Sequence, residues 1–144
     1  PKAYPFPEPK IQGLNYSFSG LKTAFLYFLR DQLKLDGDFI EKNKADIAAS
    51  IQDTIIRVLL SKLRRATRQT GITQVAIAGG VSANSGLREQ LLKMAKKERW
   101  EVYLPGLQFT TDNAAMIAIT GYFKYLNKDF ATQDITPYAK SSLR

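Results

Sequence analysis

The chain has 144 residues, and 21 Lys and Arg against 13 Asp and Glu give it a net charge of +8. Hydrophobic residues at 44% and charged residues at 24% match an ordinary folded domain and exclude disordered, collagenous and low-complexity classes. Cys and His are both absent, which excludes disulfides, thiol nucleophiles, Ser-His-Asp triads and any His-based metal site built from this chain alone.

The chain opens on Pro1, Pro5, Pro7 and Pro9, so residues 1–16 are predicted to form an extended connecting segment crossing a surface. With no initiator Met before it, this start suggests a piece cut from something longer. No apolar run approaches the ~18 residues needed to span a bilayer. The expectation is a soluble, cytoplasmic chain with no membrane partner.

From about Gly20 to Leu33, Leu21, Ala24, Phe25, Phe28 and Leu29 recur at helical spacing, with Ser19 as the expected N-cap. Leu35 to Asp38 breaks that pattern. A longer helix is predicted from about Phe39 to Thr70, capped by Asp38 and ended by Gly71. Ile47, Ile51, Ile55, Leu59 and Leu63 mark its stripe, and Ile56, Val58 and Leu60 widen it, so burial on more than one side is expected. Thr73 to Ala78 is β-branched and apolar and reads as a buried strand. Leu87, Leu91, Leu92 and Ala95 mark a third helix, and Trp100 to Leu104 a second strand. Thr110-Thr111-Asp112 opens a last helix carrying Ala115, Met116, Ile119, Phe123 and Leu126. The lobe is expected over residues 17–130, with an irregular tail at 131–144. The β-α-β order calls for parallel strands and a right-handed crossover. Two such strands make a poor sheet alone, so the pattern is that of part of an α/β domain.

Gly79-Gly80-Val81-Ser82-Ala83-Asn84 falls where a strand ends and a helix begins. Glycines let a ligand approach the backbone, and Ser82 and Asn84 can bond a ribose, phosphate or carboxylate. The plainer alternative is a tight turn with Ser82 or Asn84 capping the helix. Asp112 could ligate a metal at the carboxyl edge of the strands, where open α/β sheets bind ligands, or could merely complement a helix dipole. The clusters Arg64, Arg65, Arg68 and Lys93, Lys96, Lys97, Arg99 stand near helix C-termini, where cations are favoured in any case. Their summed field points to RNA or another anionic partner.

Three segments in order carry a resemblance: Ser17-Phe18-Ser19-Gly20-Leu21-Lys22-Thr23, Gly79 to Asn84, and Thr111-Asp112-Asn113-Ala114-Ala115-Met116-Ile117-Ala118. From about Phe6 to Tyr138 the chain resembles the C-terminal part of the bacterial TsaD family, formerly labelled glycoprotease or O-sialoglycoprotein endopeptidase. The resemblance implies an α/β fold, the second lobe of an actin-like ATPase of the sugar-kinase and Hsp70 (ASKHA) class. It implies transfer of a threonylcarbamoyl group from its adenylate to the adenosine beside a tRNA anticodon. It further implies Asp112 as ligand to a divalent metal (iron or zinc), and Gly79, Gly80, Ser82 and Asn84 as contacts to ATP or threonylcarbamoyl-adenylate. Implied partners are tRNA, the missing N-terminal lobe, an inactive paralogue and a small ATPase. Thr110 stands where Cys is frequent in the family, a departure expected to change packing only. The family's His pair, first phosphate-binding loop and first-lobe ligand contacts are missing here, so no catalytic residue is assigned and the chain alone is expected to be inactive. Two alternatives are a non-catalytic RNA- or partner-binding module derived from the same lobe, and another actin-like phosphotransferase lobe. The protease label finds no nucleophile-base pair here.

Overall fold

The computed structural model describes residues 3–136; Pro1, Lys2, and residues 137–144 of the expected tail, Tyr138 among them, lie outside the described residues. Among the described residues four helices and two short strands follow one another as α1 (Ser19–Leu35), α2 (Phe39–Thr70), β1 (Gln74–Ala76), α3 (Ser85–Glu98), β2 (Glu101–Tyr103) and α4 (Ala114–Leu126). Short 3-10 turns stand at Gly80–Ala83 and Leu107–Phe109. No helix among the described residues is long and apolar enough to cross a membrane.

The strands pair in parallel, with Val75 opposite Val102, as the β-α-β order requires. Bonds from Glu101 N to the Thr73 carbonyl at 3.0 Å and from Ile77 N to the Tyr103 carbonyl at 3.3 Å extend the pairing by one step each way. The first strand is not buried along its length, as its sequence predicts. Val75 is buried, but Gln74 and Ala76, which strand alternation turns to the opposite face, are exposed.

The core lies where α2, β1 and α3 meet: Ile56, Leu60, Val75, Leu87, Leu91, Ala95 and Trp100 form one buried cluster, with Leu91 fully enclosed. Leu92, expected to belong with them, is 44% exposed because it falls on the outer face of α3. Gly86 permits the closeness of α2 and α3: a Cβ there would meet Gln52 Nε2 at 3.0 Å and Ile56 Cδ1 at 3.2 Å. The far ends of the two helices join at Glu98, whose carboxylate takes Arg64 at 2.6 Å and Arg68 at 3.5 Å. Loss of hydration pulls the Glu98 carboxyl up, but the bond and charge of Arg64, then Arg68, outweigh it and leave it below its ordinary value.

A second cluster is aromatic. Residues 3–16 carry no regular secondary structure, and the alternating prolines hold Tyr4 and Phe6 facing the helices. Phe6 is buried with its ring 5.3 Å from those of both Phe25 and Phe28, and Tyr4 lies 5.1 Å from Phe28 and 5.8 Å from Phe39. The segment thus straps α1 to α2, and the Tyr4 amide donates to Ser50 Oγ.

Helix ends depart from expectation in three places. Ser19 is the first residue of α1 rather than its cap; Phe18 holds the cap position with no side-chain bond. Asp38 stands at the N-cap of α2 and its carbonyl accepts from the Lys42 amide at 3.0 Å, but its side chain bonds no backbone amide of the helix. The Asp36 carboxylate accepts instead from the Asp38 amide at 3.0 Å, just ahead of the helix, and from Lys42 Nζ in its first turn. Gly71 ends α2 in the left-handed conformation (φ 72°) that glycine adopts without strain. Finally, α4 begins at Ala114, not at Thr110 to Asp112. Its apolar side chains are all exposed: Ile117 is 76% and Phe123 57% accessible. Nothing among the described residues covers them.

Candidate functional site

In a parallel pair linked through a helix, both strands deliver their loops to one edge, and ligands of open α/β sheets gather there. Here those loops are 77–84 and 104–113, which carry the Gly79 to Asn84 motif and Asp112. Arg88, which the sequence reading passed over, ties them together. From the first turn of α3 its Nε donates to the Ser82 carbonyl at 2.5 Å and a terminal nitrogen donates to the Pro105 carbonyl at 2.7 Å. Its position four residues after the helix cap was the available signal.

Gly79 has φ 78° and ψ 175°, a region essentially closed to residues with a Cβ, so the turn itself demands glycine there. A Cβ at Gly79 or Gly80 would meet nothing within 4 Å, so the space beside both is open for a ligand. Ser82 is buried and its hydroxyl oxygen has no hydrogen-bond partner. Asn84 caps α3: its Oδ1 accepts from the Leu87 amide at 2.9 Å, and its Nδ2 donates to Gln52 Oε1 at 2.9 Å. Asn84 is therefore a cap in fact, and it keeps one N–H and one lone pair for a further partner. Since Ser is as good an N-cap as Asn, Asn84→Ser is expected to change stability by less than about 0.5 kcal/mol while Asn84→Ala costs about 1 kcal/mol, as read by urea unfolding.

An apolar groove opens beside this loop. Three adjoining hollows of about 410, 300 and 280 Å³ share Leu59 and Val81 in their walls. The largest is lined by Phe18, Leu21 and Lys22 from the first motif, and by Ile51 and Ile55 from α2. Asn84 and Gln52 border the second, and Ser82 the third. Periodicity places Ile51, Ile55 and Leu59 in a closed core; they are half-buried and face this groove, while the fully buried positions of α2 include Ile47, Ile56, Val58 and Leu60. The structure thus brings the first and second motifs to one groove.

Asp112 stands two residues before α4, exposed, and the side chain that caps the helix is that of Asn113, whose Oδ1 accepts from the Met116 amide at 3.1 Å. Asp112 enters no hydrogen bond or ion pair with another described residue. Thr110 is buried and bonds the Leu107 carbonyl at 2.8 Å. Among the described residues no three His, Cys, Asp or Glu come together to hold a metal. The described residues therefore do not by themselves fit a metal ion, and Asp112 offers a single donor.

Comparison with known proteins adds to this geometry. A family model described as "TsaD: tRNA N6-adenosine threonylcarbamoyltransferase" matches residues 1–119. Three curated proteins called tRNA N6-adenosine threonylcarbamoyltransferase are similar along nearly the whole chain. The protein from Christiangramia forsetii is 57% identical over 140 residues, covering 97% of this chain and 41% of its own length. That from Phocaeicola vulgatus is 56% identical over 143 residues, covering 99% and 42%. That from Porphyromonas gingivalis is 54% identical over 140 residues, covering 97% and 41%. The chain spans about two fifths of the length of these relatives.

Proposed function

This chain belongs to the TsaD family, and from that membership we propose that it is the second lobe, of actin-like fold, of a tRNA threonylcarbamoyladenosine transferase. The observation that carries the reading is the groove where Phe18, Leu21 and Lys22 meet Val81, bordered by Asn84 and opening beside the carboxyl edge of the parallel strands. An apolar hollow with a few convergent polar groups is the usual form of a nucleotide or small-molecule site.

In this reading the adenylate lies against Gly79 and Gly80, whose missing side chains leave it room, and Asn84 bonds it with the amide atoms left over from capping. The buried Ser82 hydroxyl, which has no partner among the described residues and borders the third hollow, adds a further contact, and Arg88 fixes the spacing of the two loops. The reaction needs no nucleophile from the protein. The adenosine amine attacks the carbonyl of the threonylcarbamoyl group, the new C–N bond forms as the carbonyl carbon's bond to the phosphate oxygen breaks, AMP departs, and the proton lost from the amine passes to the phosphate or to water. The lobe contributes orientation of donor and acceptor. Asp112 would be one donor to a metal whose other ligands lie outside this chain, and such an ion would supply Lewis-acid polarisation. The bare apolar faces of the groove and of α4 are suited to contact with the rest of the enzyme.

The test is complementation. Threonylcarbamoyl transfer into tRNA, followed by mass spectrometry of the digested nucleosides, is expected to be absent with the chain alone and present when the first lobe of a relative is added. Asn84→Ser is expected to weaken nucleotide binding by the complemented enzyme about tenfold, the worth of one hydrogen bond, while leaving stability in place. Full transfer by the isolated chain, or none with any first lobe, overturns the reading.

A further inference from the structure

Two clusters that look unremarkable one at a time are joined in the fold. Residues 62–70 hold four cations and no carboxylate, and residues 93–99 hold four cations and only Glu98. These sixteen residues carry seven of the chain's eight net positive charges; everything else is nearly neutral, with thirteen cations against twelve carboxylates. The first stretch ends α2 and the second ends α3, and Glu98 holds the two ends together through Arg64 and Arg68.

Some of these cations have local tasks. Lys62 bonds the Ile11 and Gly13 carbonyls, and Lys93 pairs with Glu89. Arg65, Lys96, Lys97 and Arg99 are exposed and form no hydrogen bond or ion pair with any described residue. A helix dipole favours one or two cations in its last turn. It does not account for four left unpaired around a single shared carboxylate, where self-repulsion acts against folding.

The position of the patch narrows what it meets. The ends of α2 and α3 lead into β1 and β2, so the patch lies at the amino edge of the strands, opposite the edge bearing Asn84 and Asp112. The 14 residues of α3 separate the two by about 20 Å. A small anionic substrate in the groove would be out of reach; an extended polyanion would not.

We propose that the joined C-terminal ends of α2 and α3, presenting Arg65, Arg68, Lys96, Lys97 and Arg99, form a contact surface for the sugar–phosphate backbone of RNA, holding the body of the tRNA while its reacting base lies in the groove. This rests on the reading of the chain as part of a tRNA-modifying enzyme. The contact is to phosphate, so it sets position and affinity without reading sequence.

The experiment measures binding of unmodified tRNA to the full chain over a salt series. The variant Arg65→Gln, Lys96→Gln, Lys97→Gln, Arg99→Asn removes four charges, with Asn chosen because Arg99 has φ 60°. It is expected to flatten the slope of log K against log salt by about 3, at ~0.7–0.9 per lost phosphate contact. The control Lys10→Gln, Lys34→Gln, Lys42→Gln, Lys44→Gln removes the same net charge elsewhere and is expected to leave the slope within about 1 of the parent. Circular dichroism checks the fold of both. Independently of any variant, tRNA is expected to protect Lys96 and Lys97 of the parent chain from acetylation. Equal loss in both variants, no binding at low salt, or displacement of tRNA by polyglutamate at equal charge concentration overturns the proposal. Because the readout is binding, it stands or falls apart from whether complementation restores transfer.

Discussion

Leu91→Ala is expected to cost about 3 kcal/mol of stability, within the ~2–5 kcal/mol that emptying a leucine site in a core removes. Leu91 is fully enclosed, with Ile56 and Leu60 of α2, Val75 of β1 and Trp100 in the same buried cluster. Neighbours drawn from three elements cannot all move inward at once, so a cavity remains. For a domain stable by ~5–15 kcal/mol this is a large fraction, and the melting temperature should fall by roughly 10 °C. Leu92→Ala supplies the contrast. Leu92 lies one residue along, is 44% exposed, and should cost less than about 1 kcal/mol. Equal losses at the two positions in parallel urea titrations would mean that α3 does not present this face to α2. The functional consequence follows from the same packing. Asn84 and Arg88 ride on the first turn of α3, so a helix that rocks over an empty Leu91 site loosens both strand-end loops together.

Much of this was legible in the residues. The bounds of α2, its glycine stop, the parallel pairing and the Asn84 cap all follow from local rules: periodicity, a left-handed C-cap, crossover handedness and the preference of short polar side chains for helix starts. The errors have one physical origin. Periodicity reports that a face is apolar, not what covers it. Ile51, Ile55 and Leu59 form the most regular stripe in the chain, yet they wall an open groove, because α1 and α3 meet α2 on either side of that stripe. The apolar α4 is the extreme case, with the pattern of a core helix and every side chain exposed. Phe6 failed in the opposite sense. One aromatic between prolines has no periodicity to read, and it is buried because Phe25 and Phe28 offer it a site from a distant part of the chain.

Asp112 and Asn113 separate a structural carboxamide from an available carboxylate, and substituting each is expected to give opposite outcomes. Asn113→Ala removes the side chain that accepts from the Met116 amide and should destabilise α4 by about 1 kcal/mol. Asp112→Ala should change stability by less than about 0.5 kcal/mol, since Asp112 is exposed and bonds no other described residue. An exposed acid with no structural task, on the loop that leaves the ligand edge of the strands, is free to be a metal donor in a way that a capping residue is not. Metal content of the complemented enzyme after dialysis tests this. Asp112→Ala is expected to lower metal affinity by more than the roughly 10–100-fold that even an outer partner of a ligand is worth, with Asn113→Ala retaining the ion. If Asp112→Ala unfolds α4 as readily as Asn113→Ala, or keeps its metal, the carboxylate belongs to the helix start after all. The metal role would then have to be sought outside this chain, because with neither His nor Cys and no other acid near the loop it holds no second candidate among the described residues.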